Sequence, residues 1–338
     1  MPQSLSEMMD AARRASLKNL GGRIFFYAPS FSHNPCAKAG GDAYAFPSIS
    51  VTGEKCALQC RHCGGRLLKT MIPAETPPRL AEVGRMVKER GAVGCLISGG
   101  CPPDGSVPLR RFLPAIRAMK ERLRLKIVLH TGLVSREDAY AIADARVDLV
   151  SMDVVGSDET AREIYRLKAG VRGFERSLEA LNEVGVPVSP HVLIGLDRGR
   201  LKGEFDAIDM ISRYRVSSLI YIVLTPFRGT EMERVEPPQP RDVAKVFCHG
   251  RLRLPSVFQS LGCMRPSRVH RVETDTLAVR AGINGIAYPA QEAISLAERS
   301  GLETVFVPWC CSFADRIFDD TAALQAKAKG SKRASRWS

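Results

Sequence analysis

Beyond Pro47, short apolar runs alternate with helix-patterned stretches, and no other feature limits the possible folds so strongly. The runs are SISVTG, VGCLISGG, KIVLHTG, VDLVSMDVVG, VPVSPHVLIGL and SSLIYIVLTP. Most are apolar almost throughout, as expected of parallel strands covered on both faces. In the stretches between them, Leu80, Val83 and Val87 share one helical face, as do Leu109, Phe112, Leu113 and Ile116, and Phe174, Leu178 and Leu181. Six such units predict an α/β fold with a parallel sheet and right-handed crossovers. After a proline-rich excursion at VEPPQPRDV, SVFQSLGCMRP and GINGIAYPA can supply two more strands. Eight units would close a TIM-type (β/α)8 barrel, and six would leave an open partial barrel; the full barrel is the expectation. In such a barrel the chemistry lies where strands end, which gathers TGEKC, SGGC, HTG, DVVG, IGLDRG, TPF and GCMRP around one mouth.

At 338 residues the chain can bury one large core. The expected organisation is an N-terminal helix and loop extension over 1–46, a barrel over 47–300, a C-terminal cysteine-bearing segment over 301–320, and a basic disordered tail over 321–338. No apolar run reaches the roughly 18 residues that span a bilayer. The first 20 residues mix acids and bases at helical spacing, which predicts an amphipathic lead-in helix rather than a signal peptide, and so a cytoplasmic protein. Net charge is +13, part of it in the tail KAKGSKRASRWS. That excess fits either a solvated basic surface or an acidic partner, and charge alone does not choose.

The cysteines narrow the function. There are ten: Cys36, Cys56, Cys60, Cys63, Cys95, Cys101, Cys248, Cys263, Cys310 and Cys311. Without a secretion signal, clustered thiols point to metal ligands or catalytic groups before disulfides. Cys56, Cys60 and Cys63 stand in SVTGEKCALQCRHCGG, just after the first strand of the rhythm. Structural zinc sites need four ligands, usually from two knuckles, and no second knuckle lies within reach of this triplet. His62 could add a nitrogen, although it sits between two of the cysteines. Three thiolates without a local fourth ligand suit a four-iron cluster with one iron open to substrate or cofactor.

Cys263 in LGCMRP and Cys310 and Cys311 in VPWCCSF form a second group. Neighbours in a strand point to opposite faces, so adjacent cysteines fit a metal-ligating turn better than a core strand. The alternative is that they are ordinary buried thiols. For a fourth ligand here, Cys36 in the loop HNPCAKAGG is preferred to Cys101 or Ser312. Cys95, inside a strand, and Cys248, in a helical pattern, read as buried core.

CxxxCxxC after the first strand of a βα barrel resembles the radical S-adenosylmethionine (SAM) superfamily. The resemblance implies that Cys56, Cys60 and Cys63 hold a 4Fe-4S cluster whose open iron binds SAM. One electron from the cluster then yields a 5′-deoxyadenosyl radical that removes hydrogen from substrate. It places His62 near the adenine, where the family usually has an aromatic residue. Ser98, Gly99 and Gly100 in LISGGC match the turn that receives the SAM amino group, but Cys101 replaces the usual acid. Asp153 in SMDVV is a further candidate for SAM contact, against a capping or core role.

Longer stretches, among them IFFYAPSF, FPSISVTGEKCALQCRHCGGRLLKTM, HVLIGLDRG and AGINGIAYPA, resemble the biotin-synthase-related group. Within it the chain is similar to components of the two-protein lipoyl synthase. That resemblance implies a second 4Fe-4S cluster, on Cys263, Cys310, Cys311 and Cys36, that gives up sulfur to C6 or C8 of an octanoyl chain. The partners implied are an octanoylated or mercaptooctanoylated lipoyl carrier domain, a second radical SAM protein, and an electron donor such as ferredoxin or flavodoxin; no membrane is involved. The chain departs from the single-chain lipoyl synthase, which has another cysteine triplet ahead of the SAM triplet. It departs from biotin synthase as well, because LHTG and LIGL lack the second-cluster cysteines found at those strand ends.

Overall fold

A computed structural model of the chain describes residues 4–28 and 45–313. Its strands are β1 (Arg23–Tyr27), β2 (Ser48–Ser50), β3 (Ile72–Pro73), β4 (Gly94–Ser98), β5 (Lys126–His130), β6 (Leu149–Asp153), β7 (Val188–Ile194), β8 (Ser218–Val223), β9 (Phe258–Leu261), β10 (Gly285–Ala287) and β11 (Glu303–Val307). They form one sheet, ordered β11-β1-β10-β9-β8-β7-β6-β5-β4-β2-β3. Every pairing in it is parallel.

All eight expected runs are strands, from β2 through β4–β10, with helices between them. The sheet curls as a barrel does, but β10 does not close onto β2. Instead β1, from the N-terminal segment, lies beside β10, with Phe25 opposite Gly285, and carries β11 on its other side, with Arg23 opposite Glu303. Among the described residues the order therefore has two edges, β11 and β3. This open curl is the partial-barrel form of the expected α/β architecture, with more strands than six.

The helices follow from local sequence. In α1 (Leu5–Leu20), Ser4 and Glu7 form a capping box. Its inner face reaches the helix Val269–Arg280 and the turn after it, where the Asn284 amide donates to Ser16 Oγ at 3.2 Å. In α2 (Pro77–Glu89), Thr76 caps the first turn and the expected face of Leu80, Val83 and Val87 is buried. Each such side chain stabilises the fold by about 1.5–3 kcal/mol relative to exposure. Phe112, Leu113 and Ile116 are buried at the start of α3 (Leu113–Leu123), and Phe174, Leu178 and Leu181 on the helix Gly170–Glu183. Cys95 and Cys248 are fully buried, as their positions predicted.

The inside of the curl has its own core. Phe25, Val128, Leu149, Ile220, Phe258 and Val305 meet there, and Phe46, Trp309 and Phe313 fill it further. Residues 308–313, just past β11, run against the inner face. Ser218 Oγ donates to Ser312 O at 3.1 Å, and Phe313 packs on Phe46 with ring centroids 5.8 Å apart. No helix among the described residues is long and apolar enough to cross a membrane.

Candidate active site

The first cysteine group is built on the loop after β2. Ser50 Oγ donates to Gly53 O at 2.6 Å and tightens the exit of the strand. The Gly100 amide donates to Thr52 Oγ1 at 2.7 Å, and the Cys101 amide points at Cys56 Sγ at 3.4 Å. In return Cys101 O accepts from the Ala57 and Leu58 amides at 2.8 and 3.2 Å. The turn after β4 and the cysteine loop are thus laced together through backbone. A Cβ on Gly100 would stand 2.5 Å from Cys56 Cβ and would also strike Lys55 O, so only glycine permits this approach.

Cys60 is buried, while Cys56 and Cys63 are half-buried. The thiols of Cys60 and Cys63 and the imidazole of His62 have their ligating atoms within 4.8 Å of one another. The Cys60 S–H beside it, helped by His62, holds Cys63 well below the ordinary thiol range, and Cys60 is pushed up correspondingly. The pair therefore gives up one proton readily, as a metal-binding pair must. His62 Nδ1 is buried without a hydrogen-bond partner among the described residues. His62 stacks at a tilt on Tyr165, centroids 5.0 Å apart. Cys56 lies outside the set of Cys60, His62 and Cys63 but within electrostatic reach of Cys60, and three neighbouring thiols, one of them easily ionised, fit an iron–sulfur cluster. Ser98, Gly99 and Gly100 lie together at the end of β4, with Ser98 Oγ donating to His130 O at 2.9 Å. Cys101, weighed above as a ligand of the second group, instead stands beside the first. Burial, with Cys56 and Asp153 nearby, pushes its thiol up to about 12.

The second group lies where residues 308–313 enter the curl, although its three sulfurs do not all lie within 4.8 Å of one another. Cys310 is half-buried and Cys311 buried in the segment that enters the curl, while Cys263 is exposed just past β9. Cys263 lies within electrostatic reach of both. The neighbouring Cys311 thiol holds Cys310 below the ordinary thiol range. Ser312 is buried, with its Oγ 3.3 Å from His191 Nε2. Cys36 lies outside the described residues. The turn carrying Cys263 is pinned by Arg265, which donates to both oxygens of Asp275 at 2.6 and 2.8 Å and to Gly262 O at 2.8 Å, the ion pair being wholly buried.

Between the two groups lies a polar set of which sequence reading named only Asp153, as a candidate for SAM contact. Asp153, at the end of β6, accepts from Tyr165 Oη at 2.6 Å and stands 3.5 Å from His130 and 3.9 Å from His191. Burial works against its charge, but His130, His191 and the Tyr165 hydroxyl hold it well below the usual carboxylate range. Burial, with the neighbouring His130, pushes His191 down to about 3, so it is neutral. His130 is within reach of Cys310. The signal available in sequence was a lone histidine in LHTG and another in SPHVLIGL, and each reads as core until the strand register brings them together.

Comparison with known proteins accords with this geometry. The model of the radical SAM superfamily matches residues 50–203, from the end of β2 past Asp153 and His191. The chain is 20% identical over 290 residues to biotin synthase of Clostridium acetobutylicum, covering 83% of this chain and 86% of that protein. It is 23% identical over 261 residues to biotin synthase of Halorhodospira halophila, covering 73% and 76%. Among solved structures, methylornithine synthase superposes with a TM-score of 0.60 at 15% identity, covering 90% of each chain. The FeFe-hydrogenase maturase HydG from Carboxydothermus hydrogenoformans superposes at 0.59 and 14% identity, covering 94% of this chain and 76% of that one. These two share the fold. The superfamily implies a 4Fe-4S cluster and SAM. The chain carries a radical SAM domain over residues 50–203 and is similar to enzymes of the biotin-synthase-related group of that superfamily.

Proposed function

We propose that the enzyme inserts sulfur, and that it is a component of a two-protein lipoyl synthase acting at C6 or C8 of an octanoyl chain on a carrier lysine. The observation that supports this reading is the presence of two cysteine groups, the second where residues 308–313 enter the curl. Cys56, Cys60 and Cys63 would hold the cluster that binds SAM, and Cys263, Cys310 and Cys311 would hold a second cluster as sulfur donor. When bound, the first cluster with SAM supplies a primary alkyl radical able to take hydrogen from an unactivated C–H bond, and the second supplies sulfide.

The chain's own residues then position and shield. The Ser98–Gly100 turn fixes the rim beside Cys56. Trp309, Phe313 and Phe46 fill the curl beneath the second group and keep water from entering there. His62 and Tyr165 offer a tilted aromatic pair for the adenine. The net charge of +13 would draw an acidic carrier domain, and an acidic ferredoxin or flavodoxin, to the enzyme. A second radical SAM protein would insert the other sulfur.

Similarity to biotin synthases favours a second reading, insertion of sulfur into a biotin precursor. Incubation with octanoyl- and mercaptooctanoyl-lysyl carrier peptides and, separately, with dethiobiotin, followed by mass analysis, tells them apart. A thiolated peptide supports the lipoyl reading; product from dethiobiotin alone would replace it with the other.

A further inference from the structure

We propose that His130, Asp153 and His191, which lie between the two cysteine groups, form a mononuclear site for a divalent transition ion such as Fe2+, Co2+ or Zn2+, with Asp153 serving as a ligand rather than as the SAM contact expected of it. The three residues come from the adjacent strands β5, β6 and β7, and Asp153 lies directly opposite His191 in the register. One ligating atom from each lies within 4.8 Å of the others.

The distances argue for an ion between them. Asp153 Oδ1 is shared, 3.5 Å from His130 Nε2 and 3.9 Å from His191 Nδ1. Both separations exceed the roughly 2.7–3.2 Å of an N–H···O hydrogen bond. They approach the edge of a coordination polyhedron. With metal–nitrogen and metal–oxygen bonds of about 2.0–2.1 Å, tetrahedral neighbours stand roughly 3.4 Å apart. A set serving only hydrogen bonding would gain by closing that gap.

The remaining atoms are engaged in the way that orients ligands. Tyr165 Oη donates to the other carboxylate oxygen, Oδ2, at 2.6 Å, and Ser312 Oγ is 3.3 Å from the other His191 nitrogen, Nε2. The atoms nearest the carboxylate are ring nitrogens, His130 Nε2 and His191 Nδ1, and the two imidazoles are tilted by 50° with centroids 5.2 Å apart. Two imidazoles and one carboxylate suit zinc or non-haem iron, and three protein ligands leave a position for water or for a substrate oxygen or sulfur. The proposal does not depend on sulfur insertion.

The test uses the full chain, prepared anaerobically with its clusters reconstituted so that the cysteines are occupied. Zn2+ is added, excess is removed by gel filtration, and bound zinc is counted and examined by X-ray absorption. The expected result is one zinc per chain, with nitrogen and oxygen neighbours at about 2.0–2.1 Å and none at the roughly 2.3 Å of a zinc–thiolate bond. His130→Gln with His191→Gln is expected to lose that zinc while iron, sulfide and far-UV circular dichroism stay unchanged, and Asp153→Asn to weaken its binding at least tenfold. No zinc retained by the wild type, or zinc with sulfur neighbours, would overturn the proposal. So would zinc retained equally by the double variant. The wild-type spectrum decides on its own if a variant fails to fold.

Discussion

Gly100→Ala is the most instructive single change, because it adds one methyl group at the joint between the β4 turn and the cysteine loop. The added Cβ would stand 2.5 Å from Cys56 Cβ and 2.6 Å from Cys56 Cα, where ordinary contact begins near 3.4 Å. The obstacle is backbone as well as side chain, since Lys55 O is struck too, and no rotamer relieves it. The loop bearing Cys56 must therefore move by at least about 0.9 Å, the difference between 3.4 and 2.5 Å, and by more at Lys55 O, which would lie 2.1 Å away. Overpacking of this kind costs about 1–3 kcal/mol. A displacement near 1 Å of a positioned group costs on the order of 100-fold in rate. The variant should keep its fold by circular dichroism and lower its melting temperature, and its cleavage of SAM to 5′-deoxyadenosine should fall about 100-fold. The assay is cleavage under dithionite, with iron counted on the same sample. Wild-type cleavage by Gly100→Ala would refute the claim that this close approach sets the position of the first cysteine.

Four further outcomes are expected. Cys310→Ala with Cys311→Ala should keep SAM cleavage, lose sulfur insertion and lose about half the bound iron; loss of all cleavage in a folded variant would argue against two separate groups. Asp275→Ala should destabilise the chain by about 3–5 kcal/mol, because it strands the buried Arg265 guanidinium, and denaturant unfolding measures this. Tyr165→Phe should cost about 1–3 kcal/mol by leaving Asp153 Oδ2 without its donor, also read by unfolding. Carrier binding should weaken as salt rises, measured by titration calorimetry; affinity independent of salt would remove the electrostatic role given to the basic surface.

Much of the architecture was legible because parallel strands covered on both faces write themselves as unbroken apolar runs, as KIVLHTG and SSLIYIVLTP do. The helix faces were equally plain at Leu80, Val83 and Val87. The place of β1 was not legible. RIFFY is an apolar run like the others, but its partners lie near Gly285 and Glu303, and no local pattern carries so distant a pairing. The closed barrel was the natural inference from eight units, and inserting β1 beside β10 leaves the curl open.

The two cysteine groups could be proposed from the sequence because thiols are scarce and their spacing is informative. That WCCSF turns into the curl could not, because it depends on Ser218 and His191 meeting Ser312 from strands about a hundred residues earlier. His130 and His191 stayed hidden for the same reason. Each is a single polar residue in an apolar run, and only the register of β6 against β7 sets Asp153 opposite His191. Cys101, where the family places an acid, could be seen as a departure, but its contact with Cys56 needed the turn to be in place.

The most direct test of the account is a single turnover with heavy-isotope sulfide. The clusters are reconstituted with the labelled sulfide, unbound sulfide is removed, and an octanoyl-lysyl carrier peptide is supplied with SAM and reductant. The account predicts a thiolated peptide carrying the heavy isotope, formed by the wild type and not by Cys310→Ala with Cys311→Ala. A peptide that stays unthiolated while SAM is cleaved, or that gains only unlabelled sulfur, would contradict it.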